Sequence, residues 1–198
     1  LGSLSGDVDQ QIDTLRELLE GLGTIAVTDN LIGARYSKLA LNCAVSGLGT
    51  LAGVRLGELL RNANARNLAL SVMREAVAVS QAECIELEPI GGTFDLNWLA
   101  DPTASWSGID HWRRHYMLML VGFKYRKLRS SMLRAIERGR PPAVDFLNGE
   151  IVALGSIHGI PTPINEKLTR LIHTIADGTT RPSPHHLHEL QMPSPEIE

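Results

Sequence analysis

The stretch from Arg35 to Leu60, RYSKLALNCAVSGLGTLAGVRLGELL, constrains the chain most. It is apolar or small almost throughout, yet Lys38, Asn42 and Ser46 recur in it four residues apart. On a helix, positions i, i+4 and i+8 form one slanting line. Leu39, Ala40, Leu41, Cys43, Ala44, Val45 and Leu48 cover the other faces, and a helix that is apolar nearly all round is a buried one. A polar line on such a helix must face a partner, a water cavity or a ligand, because an unpaired buried amine is costly. Lys38 and Asn42 therefore read as lining a pocket. The competing reading is a lysine whose stem snorkels to solvent at a helix end.

On either side of this stretch the pattern is helical. Asp7 or Asp9 starts a helix to about Leu22, with Ile12, Leu15, Leu18 and Leu19 on one face. TIAVT at 24–28 reads as a short strand, and Asp29 or Asn30 as the N-cap of the central helix. Gly47, Gly49, Gly53 and Gly57 allow close packing or a kink. Asn62 to Arg66 reads as a turn and Leu68 to Glu83 as a helix. Ile85 to Ile109, with Pro89, Gly91, Gly92 and Pro102, shows no period and reads as a lid, a wrap-around segment or an interface. Asp110 caps a helix from His111 to about Leu128, with Trp112, Met119, Leu120 and Phe123 on its apolar side. Ser130-Ser131 marks a break before SMLRAIERG. A helix spans Val144 to His158, and Thr162-Pro163 opens a last one to about Ile175. Residues 179–198, with four prolines, read as a tail.

The expected fold is thus mainly α, about seven helices and one or two strands, with a short α/β segment at the front. The chain has 198 residues, 43% apolar and 21% charged, which suits one domain with a sizeable core. A net charge of −3 gives no electrostatic reason to expect nucleic acid or an anionic membrane as partner. The longest uncharged run, Leu39 to Val54, is shorter than the roughly 18 apolar residues of a membrane span. Cys43 and Cys84 lie in apolar segments, which suits buried thiols in a reducing compartment and a cytoplasmic protein. The chain opens on Leu1 with no signal peptide pattern, as a trimmed chain or a piece of a longer one would.

Three local motifs carry chemistry only weakly. GLGTLA at 47–52 matches the dinucleotide fingerprint, with Glu75 near the distance of a ribose-binding acid, but no alternation of strands and helices follows. His111 and His115 have metal-ligand spacing without a completing carboxylate or cysteine, so exposed histidines and no metal are expected. The hydroxyls at Ser130-Ser131, after Lys124, Arg126, Lys127 and Arg129, suit a substrate carboxylate, or else a helix break beside a solvated basic face. Asn165 reads as capping chemistry at a helix start.

Two blocks resemble the C-terminal domain of ketopantoate reductases (2-dehydropantoate 2-reductases): YSKLALNCAVSGLGTLAG, and SSMLRAIERGRPPAVDFLNGEIVALGSIHGIPTPINEKLTRLI. The second is the more specific, and the resemblance covers about residues 1–177. It implies an all-helical C-terminal domain of the ketopantoate reductase / 6-phosphogluconate dehydrogenase C-terminal-like type. Residues 1–28 would be the last helix and strand of a Rossmann domain, 29–177 the helical substrate and dimerisation domain, and 178–198 a tail. The glycine-rich loop that would hold NADPH does not occur in this sequence, so the segment alone is not expected to transfer hydride. By resemblance, Lys38 is the general acid at the ketone oxygen of a 2-oxo acid in pantothenate biosynthesis. By the same resemblance Asn42 positions Lys38 or the substrate, Ser46 binds the substrate, and Ser131 holds its carboxylate.

Three departures stand against the pattern. Ser46 stands where the family has a second asparagine, Ala143 where it has a substrate-binding glutamate, and Ala135 where it has an aspartate. They imply a changed substrate. The implied partners are a small 2-oxo acid, a nucleotide-binding domain and a second copy of the chain. The alternative is a non-catalytic helical module for dimerisation or small-molecule binding, with Trp98, Trp106 and Trp112 at an interface.

Overall fold

The computed structural model describes residues 1–7, 10–23, 25–104 and 108–191. Its organising element is α2, Leu31–Ala52, the helix expected from the apolar stretch. The Asn30 side chain caps it, its oxygen accepting the Gly33 amide at 2.9 Å. Gly53 ends it in the left-handed conformation, φ 70°, with its amide on the Gly49 carbonyl. Ala40, Cys43, Ala44, Leu48 and Leu51 are wholly or almost wholly buried. The helices α4 (Ala63–Ala82), α7 (Ser131–Glu137) and α9 (Pro163–Ala176) pack against α2, while α8 (Asn148–His158) packs on α4 and α9. Burial pushes the Cys43 thiol well above its ordinary pKa and leaves it inert.

Several boundaries differ from the sequence reading. Asn62 accepts the amides of Asn64 and Ala65, so α4 begins at Ala63 and the polar stretch is its first turn rather than a loop. The helix α8 begins at Asn148, not Val144. The amides of Leu147 and Gly149 both turn back to the Val144 carbonyl, which leaves Phe146 outside the helix and 80% exposed. The long segment after α4 is partly ordered by an Ile90–Phe94 bridge and by the short α5 (Leu96–Leu99), capped by Asp95. Leu87, Leu96 and Leu99 anchor it in the core, and Arg74 donates to the Pro102 and Ala104 carbonyls. Cys84 is exposed, against the expectation of a buried thiol. It ends α4 at φ 57°, a conformation that favours glycine.

The helix α1 (Gln10–Leu19) is present, but it buries no residue, and Leu15 and Leu18 of its apolar face are exposed. Asp9 and Thr24 lie outside the described residues. No strand forms among the described residues. Around Ala26 the chain pairs only with Leu1, whose amino group donates to the Ala26 carbonyl and whose carbonyl accepts from Thr28. A single pairing does not make a strand, so the expected α/β segment reduces to a helix and an extended chain. Residues 179–191 do not form a loose tail either. Ser183 donates to the Leu51 carbonyl, and α10 (His186–Gln191) buries Leu187 and Leu190 against α2, α4 and α9. Two leucines three apart are too short a pattern to stand out in a proline-rich sequence.

Candidate functional site

The polar line on α2 opens onto one groove made of three adjoining hollows. The first, about 600 Å³, is lined by Arg35, Tyr36, Lys38, Asn42, Phe146 and Glu150 among others. The middle one, about 460 Å³, takes in Lys38, Asn42, Phe94, Leu120 and Lys124. The third, about 130 Å³, takes in Asn42, Ser46, Arg129, Ser131 and Arg134. Asn42 lines all three, Lys38 two, and Ser46 and Ser131 the third. The structure thus brings the four sequence-selected side chains to one groove. Lys38 is exposed at its edge and forms no ion pair among the described residues. Both earlier readings of Lys38 meet here, since its head reaches solvent at a hollow's rim.

The two serines after the basic run have different jobs. Ser130 is buried; its hydroxyl donates to the Ser46 carbonyl at 3.1 Å, lies 2.8 Å from Thr50 Oγ1 and accepts the Leu133 amide as the cap of α7. It ties α7 to α2, so Ser131 faces the third hollow. Arg129 pairs with Glu137 at 2.5 Å on the surface, a contact worth little by itself. Arg35, Lys38, Lys124, Arg129 and Arg134 make the groove predominantly basic, a field that gathers anions. Glu150 is the acidic exception in the first hollow. With Glu83 it adds to burial, the larger cause, in raising the pKa of Tyr36. The sequence reading missed Tyr36 and Glu150. Glu150 was visible in principle, one turn after Phe146-Leu147 at the same wall.

Other expected sites dissolve into structure. GLGTLA lies within α2 and is fully buried, with Gly47 packed where a Cβ would come 2.8 Å from Leu168. Glu75 does not await a ribose. Its carboxylate accepts the amides of Ile164 and Asn165 at 2.9 Å each and the Asn165 side chain at 2.6 Å, which caps α9. Asn165 is therefore not itself the cap. It is fully buried, and its side-chain oxygen accepts from Asn148, which also donates to the Cys43 carbonyl. Ala143 is exposed on the stretch before α8, and Asp145 near it pairs with His173.

His111 and His115 are half-buried rather than exposed. Arg66 donates to His115 Nδ1 at 3.0 Å, and Asn67 Oδ1 lies 2.9 Å from Nε2, which fixes a neutral ring. No group of side chains that could hold a metal occurs among the described residues. No helix among them is long and apolar enough to cross a membrane. The glycine fingerprint at 47–52 is helical and closed, so that motif does not hold a dinucleotide.

Residues 30–176 match the family described as ketopantoate reductase PanE/ApbA C terminal. The chain belongs to the ketopantoate reductase C-terminal family. The family boundary at residue 30 coincides with the cap of α2. A 2-dehydropantoate 2-reductase of Archaeoglobus fulgidus is 26% identical over 90% of this chain and 52% of its own. A PanE/ApbA family ketopantoate reductase from Ralstonia eutropha superposes with TM-score 0.64 at 26% identity, over 84% of this chain and 48% of its own. D-mandelate dehydrogenase in complex with NADH shares the fold, with TM-score 0.69 at 22% identity over 90% of this chain and 55% of its own. The chain spans about half the length of the curated relatives it matches.

Proposed function

We propose that this ketopantoate reductase C-terminal domain forms the substrate side of a cytoplasmic 2-oxo acid reductase resembling 2-dehydropantoate 2-reductase, in pantothenate biosynthesis or a divergent route. It works beside a nucleotide-binding domain that holds NADPH, and in two copies. The observation that carries this reading is Asn42 lining all three hollows, with Lys38 on one side of it and Ser46 and Ser131 on the other. The Lys38 ammonium donates to the ketone oxygen, stabilises negative charge developing there and supplies the proton that makes the alcohol. Asn42 orients that oxygen or the ammonium. Ser131, with Arg129 and Arg134 near it, receives the carboxylate. The family glutamate is replaced by Ala143, and Glu150 is the carboxylate that lines the hollow with Lys38. The acceptor for a substrate hydroxyl has moved, which supports a substrate other than ketopantoate.

The test is isothermal titration of ketopantoate and other 2-oxo acids into the full encoded protein, beside Lys38→Ala. Saturable binding of at least one acid is expected, weakened roughly ten- to a hundredfold in Lys38→Ala, the loss of one charge-assisted hydrogen bond. Binding of none, or binding indifferent to Lys38, overturns the assignment.

A further inference from the structure

The middle hollow of the groove takes its apolar walls from three elements. Leu41 and Val45 come from α2, Ile90 and Phe94 from the segment after α4, and Met117 and Val121 from α6 (Gly108–Lys124). All six are half-buried, so their carbon faces space that the chain does not fill. None of the lining residues is acidic, and Lys38 and Lys124 are the two charges. The walls are held from behind. The Ile90 amide donates to the Phe94 carbonyl at 3.0 Å and the Phe94 amide to the Ile90 carbonyl at 3.1 Å, which closes the turn between them. Gly91 and Gly92 make that turn at φ 61° and 71°, and buried Leu87 and Leu96 anchor it on either side. On α6, Leu118 and Gly122 turn into the domain, and a Cβ on Gly122 would come 2.8 Å from Leu60 Cβ. The Leu56 amide, at the start of α3 (Leu56–Leu59), donates to the Leu128 carbonyl at 2.9 Å. Part of the segment that the sequence offered as a lid, a wrap-around or an interface is thus a fixed wall. At about 460 Å³ the hollow lies within the roughly 300–1,000 Å³ of pre-formed ligand pockets.

We infer that the middle hollow receives the side chain of the substrate, and that the substrate is a 2-oxo acid with a bulky apolar side chain such as an aromatic ring. The inference rests on the proposed reductase reading and deepens it. The carbonyl carbon of a 2-oxo acid carries an oxygen, a carboxylate and the rest of the molecule. With the oxygen at Lys38 and Asn42 and the carboxylate at Ser131, the third group leaves from beside Asn42. The middle hollow shares Asn42, Val45, Leu56 and Leu128 with the one that holds Ser131, so the two run together along one side of α2. The first hollow shares only Asn42 with it, and is the more polar way out, with Arg35, Tyr36 and Glu150. An apolar side chain in the middle hollow takes its own carbon and that of three elements out of water. A polar one would give up water against the same carbon. No acidic residue lines this hollow or the third to repel the carboxylate.

The test is isothermal titration of pyruvate and phenylpyruvate into the full encoded protein with NADP+ present. The two acids share a head group and differ by one phenyl ring. Phenylpyruvate is expected to bind about a hundredfold more tightly. Val121→Trp fills the hollow and is expected to remove most of that preference, while pyruvate affinity stays within about twofold and so reports a folded site. Phe94→Ala, which thins the opposite wall without filling it, is expected to weaken phenylpyruvate about tenfold and spare pyruvate, and it serves where Val121→Trp loses its helix content by circular dichroism. Equal affinity for the two acids, or a preference that survives both variants, overturns the assignment of the hollow and leaves the reductase reading standing. So does a folded Val121→Trp that loses NADP+ and keeps the preference, since the cofactor then occupies the hollow. Binding of neither acid by the unaltered protein overturns both.

Discussion

Glu75 is a charged residue in the middle of a helix, and its network joins four elements. From α4 it satisfies two amides at the start of α9 and the side chain of Asn165, which in turn meets Asn148 of α8 and, through it, the Cys43 carbonyl of α2. The Glu75 pKa is raised, by burial first and with Glu166 adding to it, against the hydrogen bonds from Asn165 and Ile164 that lower it. Glu75→Ala leaves those amides without a partner in a closed site, and a loss of about 3 kcal/mol is expected in denaturant unfolding. Little of this was legible beforehand. A glutamate at mid-helix and an asparagine after Thr-Pro each have ordinary local explanations, and their meeting depends on residues some 90 positions apart. Lys38, Asn42 and Ser46 were legible because one helix carries all three, and helical spacing is enough to align them.

Among the elements, α10 and α6 (Gly108–Lys124), whose Trp112, Met119, Leu120 and Phe123 are exposed rather than in the core, depart furthest from the sequence reading. For α10 the error lay in composition, since prolines outside the helix concealed two leucines inside it. Each leucine is a filled core position, so Leu187→Ala and Leu190→Ala are each expected to destabilise the chain by about 2–4 kcal/mol, measured as a lowered melting temperature. A true tail would tolerate both. For α6 the periodicity was read correctly and its direction was not. An apolar stripe shows that a helix has a preferred partner, but not whether that partner belongs to the same chain. Here glycine and arginine, residues that no hydropathy pattern ranks as core, face inward. The N-cap of α2, the break at Ser130-Ser131 and the proline start of α9 were all legible because each depends on neighbours within four residues.

For the whole molecule, acid is expected to act through His115. Burial first, then His111 and Arg66, holds its imidazole below its ordinary value of 6.5. The unfolded chain therefore takes up the proton first as pH falls. The contribution of the neutral ring is complete above about pH 6.5 and is lost as pH drops through the lower folded value. Urea midpoints measured from pH 8 to pH 5 are expected to fall across that window, and less so in His115→Gln. The helical body built around α2 was readable from the chain because its apolar run leaves no other arrangement, whereas the contacts that hold α9, α10 and α6 in register are long-range and were not. The link from Glu75 through Asn165 to Asn148 also bears on descent. The Asn165 amide divides its donors between Glu75 and the Val72 carbonyl while its oxygen accepts from Asn148, so a lineage that loses the carboxylate at 75 leaves a buried donor at 165 short of a partner. Across relatives the two positions are expected to change together, and an alignment in which they drift independently would show that the cap can be rebuilt from elsewhere.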